Sequence, residues 1–361
     1  NLAQLKSQKP DYLSSVNYVF VNGIYIEEIS QPAQIDGLNI SSITSAFEHN
    51  AEAINALSTA NREKPDGFNY LNNAFAQSGL HIEVDQGRVI EEPIAIINIT
   101  DSSDGKVIAS PRHVAFIGQN AQATIADVNL SSGIHDTFSN TSLEIDLAQD
   151  GMLNLYTITK EPAHAVQVNN TYVKQHKSSV LNAVTIDFDG KLIRNNLRID
   201  LAGEHCEANL SGLYMPSNSS QIDNHTTVDH QIANSNSNEL YKGILDDKST
   251  GVFNGKIFVR QDAQKTNAFQ SNKNILLTDE ATVNTKPQLE IWADDVKCSH
   301  GCTTGQLDED QLFYLRARGI SADKARAMLL HAFAEEVIEK IKPEPIRQFL
   351  EEILDQRIDI S

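Results

Sequence analysis

The spacing of apolar residues changes twice along the chain. The opening stretch mixes short patterns. The run Tyr18-Val19-Phe20-Val21-Asn22-Gly23-Ile24-Tyr25-Ile26 reads as a hairpin, because Asn-Gly readily takes the positive φ angles of a two-residue turn. Residues 42–57 carry Phe47, Ala51, Ile54 and Leu57 near helical spacing. A second helix is predicted around Phe68, Leu71, Ala74 and Phe75, with Gly79 as its C-terminal stop.

From about Val89 to Thr304 the long helical patterns disappear and alternation with a period of two dominates, rich in Val, Ile, Thr and Asn. Six segments share one shape, an apolar strand, a tight turn and a second strand: residues 113–128, 142–158, 170–187, 196–214, 255–276 and 287–305. Two turns are near-copies, Leu147-Ala148-Gln149-Asp150-Gly151 and Leu201-Ala202-Gly203-Glu204-His205, with the Lys177-Ser178 turn midway. The step is about 27 residues, inside the range that signals a stacked repeat. A coil of this kind buries its inward residues only by stacking on the next, which favours a β-helix over a sandwich.

After Gly305 helical spacing returns. Asp308 is a good N-cap for a short helix carrying Leu312, Phe313 and Leu315, and Gly319 stops it. Ser321 caps a longer helix whose expected apolar face holds Ala325, Met328, Leu329, Ala332, Phe333 and Ile338. Pro343 and Pro345 break it, and a last helix carries Ile346, Phe349, Leu350, Ile353 and Leu354. The predicted organisation is a mixed α/β region over residues 1–90, a β-helix core over 91–306 and a helical domain over 307–361. Asn1 stands where an initiator Met would, so the N-terminal region is expected to be truncated.

Composition narrows the function classes. The chain has 361 residues, is 40% hydrophobic, and holds 48 acidic against 29 basic residues for a formal charge of −19. That balance repels phosphates and anionic lipid and argues against nucleic-acid or membrane partners. No apolar run approaches the roughly 18 residues of a membrane span. Three cysteines, Cys206, Cys298 and Cys302, do not describe a disulfide framework and fit a reducing compartment, so a cytoplasmic location is expected.

The densest candidate chemistry is Lys297-Cys298-Ser299-His300-Gly301-Cys302. Residues two apart on a strand point the same way, so Cys298, His300 and Cys302 are expected to line one face, within reach of a shared soft metal or cluster. The competing reading is that strand parity simply put two small thiols inside the coil. Asp294 and Asp295 are adjacent, face opposite ways on a strand, and are assigned to a turn rather than to paired carboxylate catalysis. His205, Cys206, His225 and His230 read as satisfied core or surface residues. Gly251 to Lys256 resembles a phosphate loop but is one residue short, with Ile257 where Ser or Thr must bind magnesium.

The stretch Lys286-Pro287-Gln288-Leu289-Glu290-Ile291-Trp292-Ala293-Asp294-Asp295-Val296-Lys297-Cys298-Ser299-His300-Gly301 resembles the signature of the SufB/SufD family of iron–sulfur cluster assembly proteins, and within it the SufD branch. Asp308 through Ile320, Tyr241-Lys242-Gly243, Val252 through Ile257, Phe68 through Phe75 and Glu92-Pro93-Ile94 are similar to the family as well. Two departures stand out. The longer helical N-terminal region usual in the family is missing, and Cys302 occupies a position where the family gives no thiol a role.

The resemblance implies a right-handed parallel β-helix with a C-terminal helical domain. It implies a non-catalytic scaffold subunit that pairs with SufB through the β-helix and docks the SufC ATPase, present in two copies. The C-terminal helices would receive that ATPase, with Asp308, Leu312, Phe313, Tyr314, Met328 and Phe333 as the candidate contacts. Cys298 and His300 would lie at the SufB interface, with His300 the favoured ligand for iron or a transient iron–sulfur cluster and Cys302 a weaker candidate. The sequence leaves open whether reduced flavin binds the assembled complex and whether the isolated chain is a homodimer. The rival reading from residues alone is a β-helix polysaccharide lyase or hydrolase, against which stand a single Trp and 6% aromatics.

Overall fold

In the computed structural model, which describes residues 16–58 and 66–358, two stacks of parallel strands account for most of the chain. In the first sheet, Val16–Val21, Ile94–Ser102, Gln122–Gly133, Met152–Lys160, Val180–Phe188, Glu207–Met215, Asn236–Leu245, Asn267–Leu276 and Lys297–Gly305 lie side by side in that order. The second sheet runs from Leu38–Ser42 and Leu80–Val84 through Arg112–Ile117, Thr137–Leu147, Ala165–Gln175, Leu192–Leu201 and Gln221–His230 to Thr250–Val259. Thr282–Thr285 and Gln288–Ile291 both pair with that last strand.

The chain crosses from one sheet to the other at each tight turn, giving a β-solenoid of about 8 turns. The strand–turn–strand units are therefore corners of coils. Thr137–Leu147 and Met152–Lys160, for example, sit in different sheets. Asn169 and Asn195, and Asn236 and Asn267, hydrogen-bond between neighbouring coils at separations of 26 and 31 residues, close to the step read from the near-copied turns.

The corners explain the turn chemistry. Asn120, Asp150, Ser178, His205, Asn234 and Lys265 all have φ between 55 and 66°, a region that short polar residues tolerate better than most. That conformation turns backbone donors toward the neighbouring coil: Asp150 N–H donates to Lys177 O at 2.9 Å and Ser178 N–H to Glu204 O at 2.8 Å. At the N-terminal end, Asn22 and Gly23 take φ of 51 and 80° and join Val16–Val21 to an antiparallel Ile24–Tyr25, as the Asn-Gly pair predicts.

Helix α1 (Ile43–Leu57) starts at Ser42, whose hydroxyl accepts from Ser45 N–H, and kinks at Asn50. Helix α2 (Gly67–Phe75) starts at Asp66. Gly79 is not its stop. The helix ends at Phe75, and Gly79 is needed three residues beyond the C-cap because a Cβ there would lie 1.5 Å from the Arg112 carbonyl oxygen.

Three helices follow the last coil: α3 (Glu309–Ala317), α4 (Ala322–Ile338) and α5 (Glu344–Ile358). Leu330, Ala334, Val337, Ile346, Leu350 and Leu354 pack on the outer face of the first sheet, against Val184, Ile186, Leu213 and Met215. Each fully buried Leu, Ile or Val among them contributes about 1.5–3 kcal/mol. The buried stripe of α4 is rotated from the expected one. Ala325 and Ile338 are inside, but so are Leu330, Ala334 and Val337, while Met328 and Ala332 face out. Apolar residues occur all round this helix, so periodicity did not fix its orientation. Lys242, on the sheet, donates from Nζ to the Phe333 carbonyl at 2.8 Å and pairs with Glu336. Arg357 of α5 donates to the Met215 carbonyl at 2.7 Å and pairs with Asp189.

The lumen combines an apolar cluster, including Leu155, Leu181, Leu210, Ile199 and Phe253, with a column of buried polar side chains. Asn98 donates to Asp127 at 2.9 Å, Gln167 to Asn169 at 2.6 Å, Asn169 to Asn195 at 2.8 Å, and Asn195 to Asp187 at 2.7 Å. Burial pushes the carboxyls of Asp127, Asp187 and Glu239 up to about 7. It pushes the imidazoles of His113 and His230 down to about 3 and about 4.

The signs of these shifts set the pH dependence of stability. A carboxyl raised in the fold keeps its proton where the unfolded chain has lost it, so its contribution is full below about pH 4 and drains away as pH rises toward 7. The buried imidazoles act oppositely, adding stability as pH rises from about 4 to about 6.5. Above pH 6.5 the imidazole contribution levels off within about a unit and the three carboxyls outweigh it. Urea unfolding at pH 6.5 and 7.5 is expected to show lower stability at the higher pH, by up to about 1.4 kcal/mol per unit for each carboxyl. Asp187→Asn should flatten that slope. Equal stability of the unsubstituted chain at both values would contradict the assignment.

Candidate functional site

The terminal strand Lys297–Gly305 pairs along one side with Asn267–Leu276, in register from Lys297 opposite Asn267 to Gly305 opposite Ile275. It ends the first sheet, and its other side meets no further strand of the described residues. A sheet edge of this kind presents a row of unpaired backbone groups ready to pair with another chain. Every residue on the strand is exposed except Cys298, which is half-buried.

Parity decides which side chains face the lumen. Cys298 packs against the inner cluster that contains its register partner Ala268. His300 and Cys302 share its side of the strand, opposite Gln270 and Asn272, both buried. The three candidate donors therefore crown the open end of the lumen. Burial pushes the Cys298 thiol above its ordinary range. Cys302 is exposed, with its sulfur accepting from Thr285 Oγ1 at 2.9 Å.

The three share a face but do not converge. Alternate residues of an extended strand are spaced about 6.6 Å apart, and among the described residues no group of three His, Cys, Asp or Glu side chains is placed to hold one metal ion. This strand offers separate soft and imidazole donors, and completing a coordination sphere around any one of them takes ligands from elsewhere.

Beneath His300 lies a layer the sequence reading missed. In register, Leu210, Glu239, Gln270 and His300 stack on successive coils. Thr226 Oγ1 donates to Glu239 Oε2 at 2.7 Å, and Gln270 Nε2 donates to the same oxygen at 3.2 Å. The available signal was the period-two alternation itself, which puts a charged Glu239 on an inward position.

The other candidates fall out as structural. Asp295 sits in an exposed turn, paired with Lys265 at 2.6 Å, which holds its carboxyl below the usual range. His225 contacts Asp223 at 2.7 Å, and His230 is buried against Ser237 at 2.9 Å. Cys206 is buried with its sulfur 3.1 Å from the His176 carbonyl oxygen, and burial pushes its thiol up. Gly251 and Gly255 lie within the strand Thr250–Val259, where no phosphate loop is formed.

The C-terminal contact candidates divide. Asp308 caps α3, accepting from the N–H groups of Asp310 and Gln311. Phe333 is turned to the solenoid, with the Lys242 ammonium 4.5 Å from its ring centre. Leu312 is half-buried. Phe313, 73% exposed, Tyr314, 56% exposed, and Met328 project into solvent, with the Arg318 guanidinium stacked 4.4 Å from the Tyr314 ring centre.

The class of protein is a parallel β-solenoid flanked by C-terminal helices, with Cys and His side chains on its last open edge. Comparison with known proteins gives the family. Residues 98–333 match the model for the SufBD core domain of SUF-system iron–sulfur cluster assembly, and residues 9–96 match the SufBD N-terminal region. The chain belongs to the SufBD family of iron–sulfur cluster assembly proteins. It is 33% identical to the iron–sulfur cluster assembly protein SufD of Escherichia coli, over 96% of this chain and 80% of that one. It is 31% identical to a SufBD family protein of Synechocystis, over 90% of this chain and 73% of that one. SufD of Plasmodium falciparum is 26% identical over 70% of this chain and 17% of its own length.

Thiol chemistry reports this geometry directly. With iodoacetamide on the native chain, Cys302 should be alkylated first, Cys298 more slowly because it is half-buried with a raised pKa, and Cys206 only on unfolding. Mass spectrometry of a time course checks this. Early modification of Cys206 would contradict the burial described.

Proposed function

We propose that this chain is a scaffold subunit of an iron–sulfur assembly complex, acting without catalysis of its own. In this reading the terminal edge, residues 297–305, pairs with a SufB-type partner, and His300, with Cys298 beside it, contributes to a nascent cluster whose remaining ligands come from that partner. The observation that carries the reading is the open, exposed edge strand bearing both donors in a chain of this family. A neutral imidazole suits ferrous iron and a thiolate suits a cluster, and a set left incomplete at an unpaired edge fits a site finished by a second chain. The cluster here is cargo rather than a resident group.

In the same reading, the exposed Phe313, Tyr314 and Met328 dock a SufC-type ATPase, with helix α3 laid in a groove of that partner. Large apolar side chains left in water at one end of a molecule mark such contacts. The latches from Lys242 and Arg357 fix α4 and α5 to the solenoid, so a force applied at α3 has a stiff route to the open edge. The location expected for such an assembly is the cytoplasm.

Anaerobic reconstitution with SufB- and SufC-type partners, followed by iron and sulfide analysis, tests the reading. His300→Ala is expected to keep the fold and the partners while lowering cluster yield about tenfold. Phe313→Ala combined with Tyr314→Ala is expected to lose the ATPase in co-purification. Normal yield from His300→Ala would remove the histidine from the site, and undiminished ATPase retention would move the docking surface elsewhere.

A further inference from the structure

The buried amide beneath His300 is held in one orientation with its carbonyl oxygen unpaired among the described residues. Gln270 is 3% exposed, and its Nε2 is committed to Glu239, which is itself anchored by Thr226 from the opposite sheet. Gly255 leaves the room this needs, since a Cβ there would stand 2.3 Å from Gln270 Nε2. With the nitrogen fixed on Glu239, the amide cannot flip without losing that bond. Its Oε1 is buried and has no hydrogen-bond partner among the described residues. A buried carbonyl oxygen left unpaired costs about 1–3 kcal/mol, so the site calls for a donor.

The next rung above Gln270 is His300, its direct register partner on the terminal strand. Adjacent parallel strands are spaced about 4.8 Å apart, and same-face side chains on paired residues lie within hydrogen-bonding reach when one swings toward the other. An imidazole is the kind of donor that is missing. When neutral it carries one N–H, and whichever nitrogen donates, the other keeps a lone pair.

We propose that Gln270 is a positioning residue for His300: its Oε1 accepts one ring N–H, which selects a single tautomer and turns the lone pair of the other nitrogen out of the open end of the solenoid. The assignment deepens the reading of His300 as an iron or cluster donor, and rests on it for its consequence though not for its geometry. Glu239 acts one step further back, by holding the amide in the orientation that leaves Oε1 free. A carbonyl or carboxylate behind a ligating histidine commonly fixes its tautomer and ring angle, and losing one costs about 10–100-fold in affinity or activity.

The test reads the tautomer without any cluster present. In the full chain labelled with nitrogen-15 in its histidine rings, long-range proton–nitrogen spectra at a pH where His300 is neutral distinguish the two tautomers. His300→Ala identifies the signals. The unsubstituted chain is expected to show His300 in one dominant tautomer. Gln270→Met, close in shape and unable to accept well, should give a mixture and lower cluster yield about tenfold in the reconstitution. Glu239→Gln keeps an acceptor oxygen for the amide and should preserve the single tautomer. A mixture of tautomers in the unsubstituted chain overturns the proposal without recourse to any variant. If His300→Ala loses assembly while Gln270→Met keeps both tautomer and yield, the Gln270 assignment fails alone. If His300→Ala assembles normally, the donor reading fails, and a single tautomer lost in Gln270→Met would still uphold the contact.

Discussion

A coil of parallel strands cannot satisfy its own backbone. Each strand of the solenoid donates and accepts only along its two sides, so a coil is complete when another lies above and another below. The interior coils meet this condition through register that runs without a break from Ile94–Ser102 to Lys297–Gly305. The last coil cannot meet it within the stack. Its open edge is thus a consequence of the architecture, and the Cys and His donors sit where the architecture is unfinished. The N-terminal end is treated differently, since the antiparallel strands Ile24–Tyr25 and Leu38–Ser42 cover the first strands of the two sheets.

The same stacking rule organises the lumen. Inward residues on successive coils lie over one another, so an apolar column and a polar column can run side by side. The polar column is tied together by bonds between coils, such as Asn169 to Asn195, and by bonds across one coil, such as Asn195 to Asp187. Such bonds are direction-specific and fix register more tightly than aliphatic packing does. At the open end Gln270 leaves its Oε1 without a partner among the described residues. Outside the lumen, α4 and α5 bury the flank of the first sheet and are tied to it by Lys242 and Arg357. The terminal edge thereby stays on a stiff body while α3 remains solvent-facing.

Much of this was legible in the sequence because it rests on local rules. Asn22-Gly23 specifies its turn, Asp308 and Ser321 cap their helices, and the near-copied turns set the coil step because each corner needs a residue that tolerates positive φ. Period-two parity correctly put Cys298, His300 and Cys302 on one face. What local rules miss is distance and partnership. Parity gives the direction of a side chain without its span along the strand, about 6.6 Å between alternate residues. Gly79 looked like a helix stop because its true constraint, the Arg112 carbonyl, lies far along the chain. The α4 face was misjudged because its apolar residues leave no single stripe. Alternation marked Glu239 as a charged residue on an inward position, but its pairing with Gln270 emerged only when register stacked the two.

The central claim is that the terminal edge is completed by another chain. Hydrogen–deuterium exchange on residues 297–305, with the chain alone and with its SufB-type partner, tests it most directly. The account predicts fast exchange of the outward amides of this strand in isolation and strong protection in the complex. A complex that forms while exchange across Lys297–Gly305 stays as fast as in the free chain would contradict it.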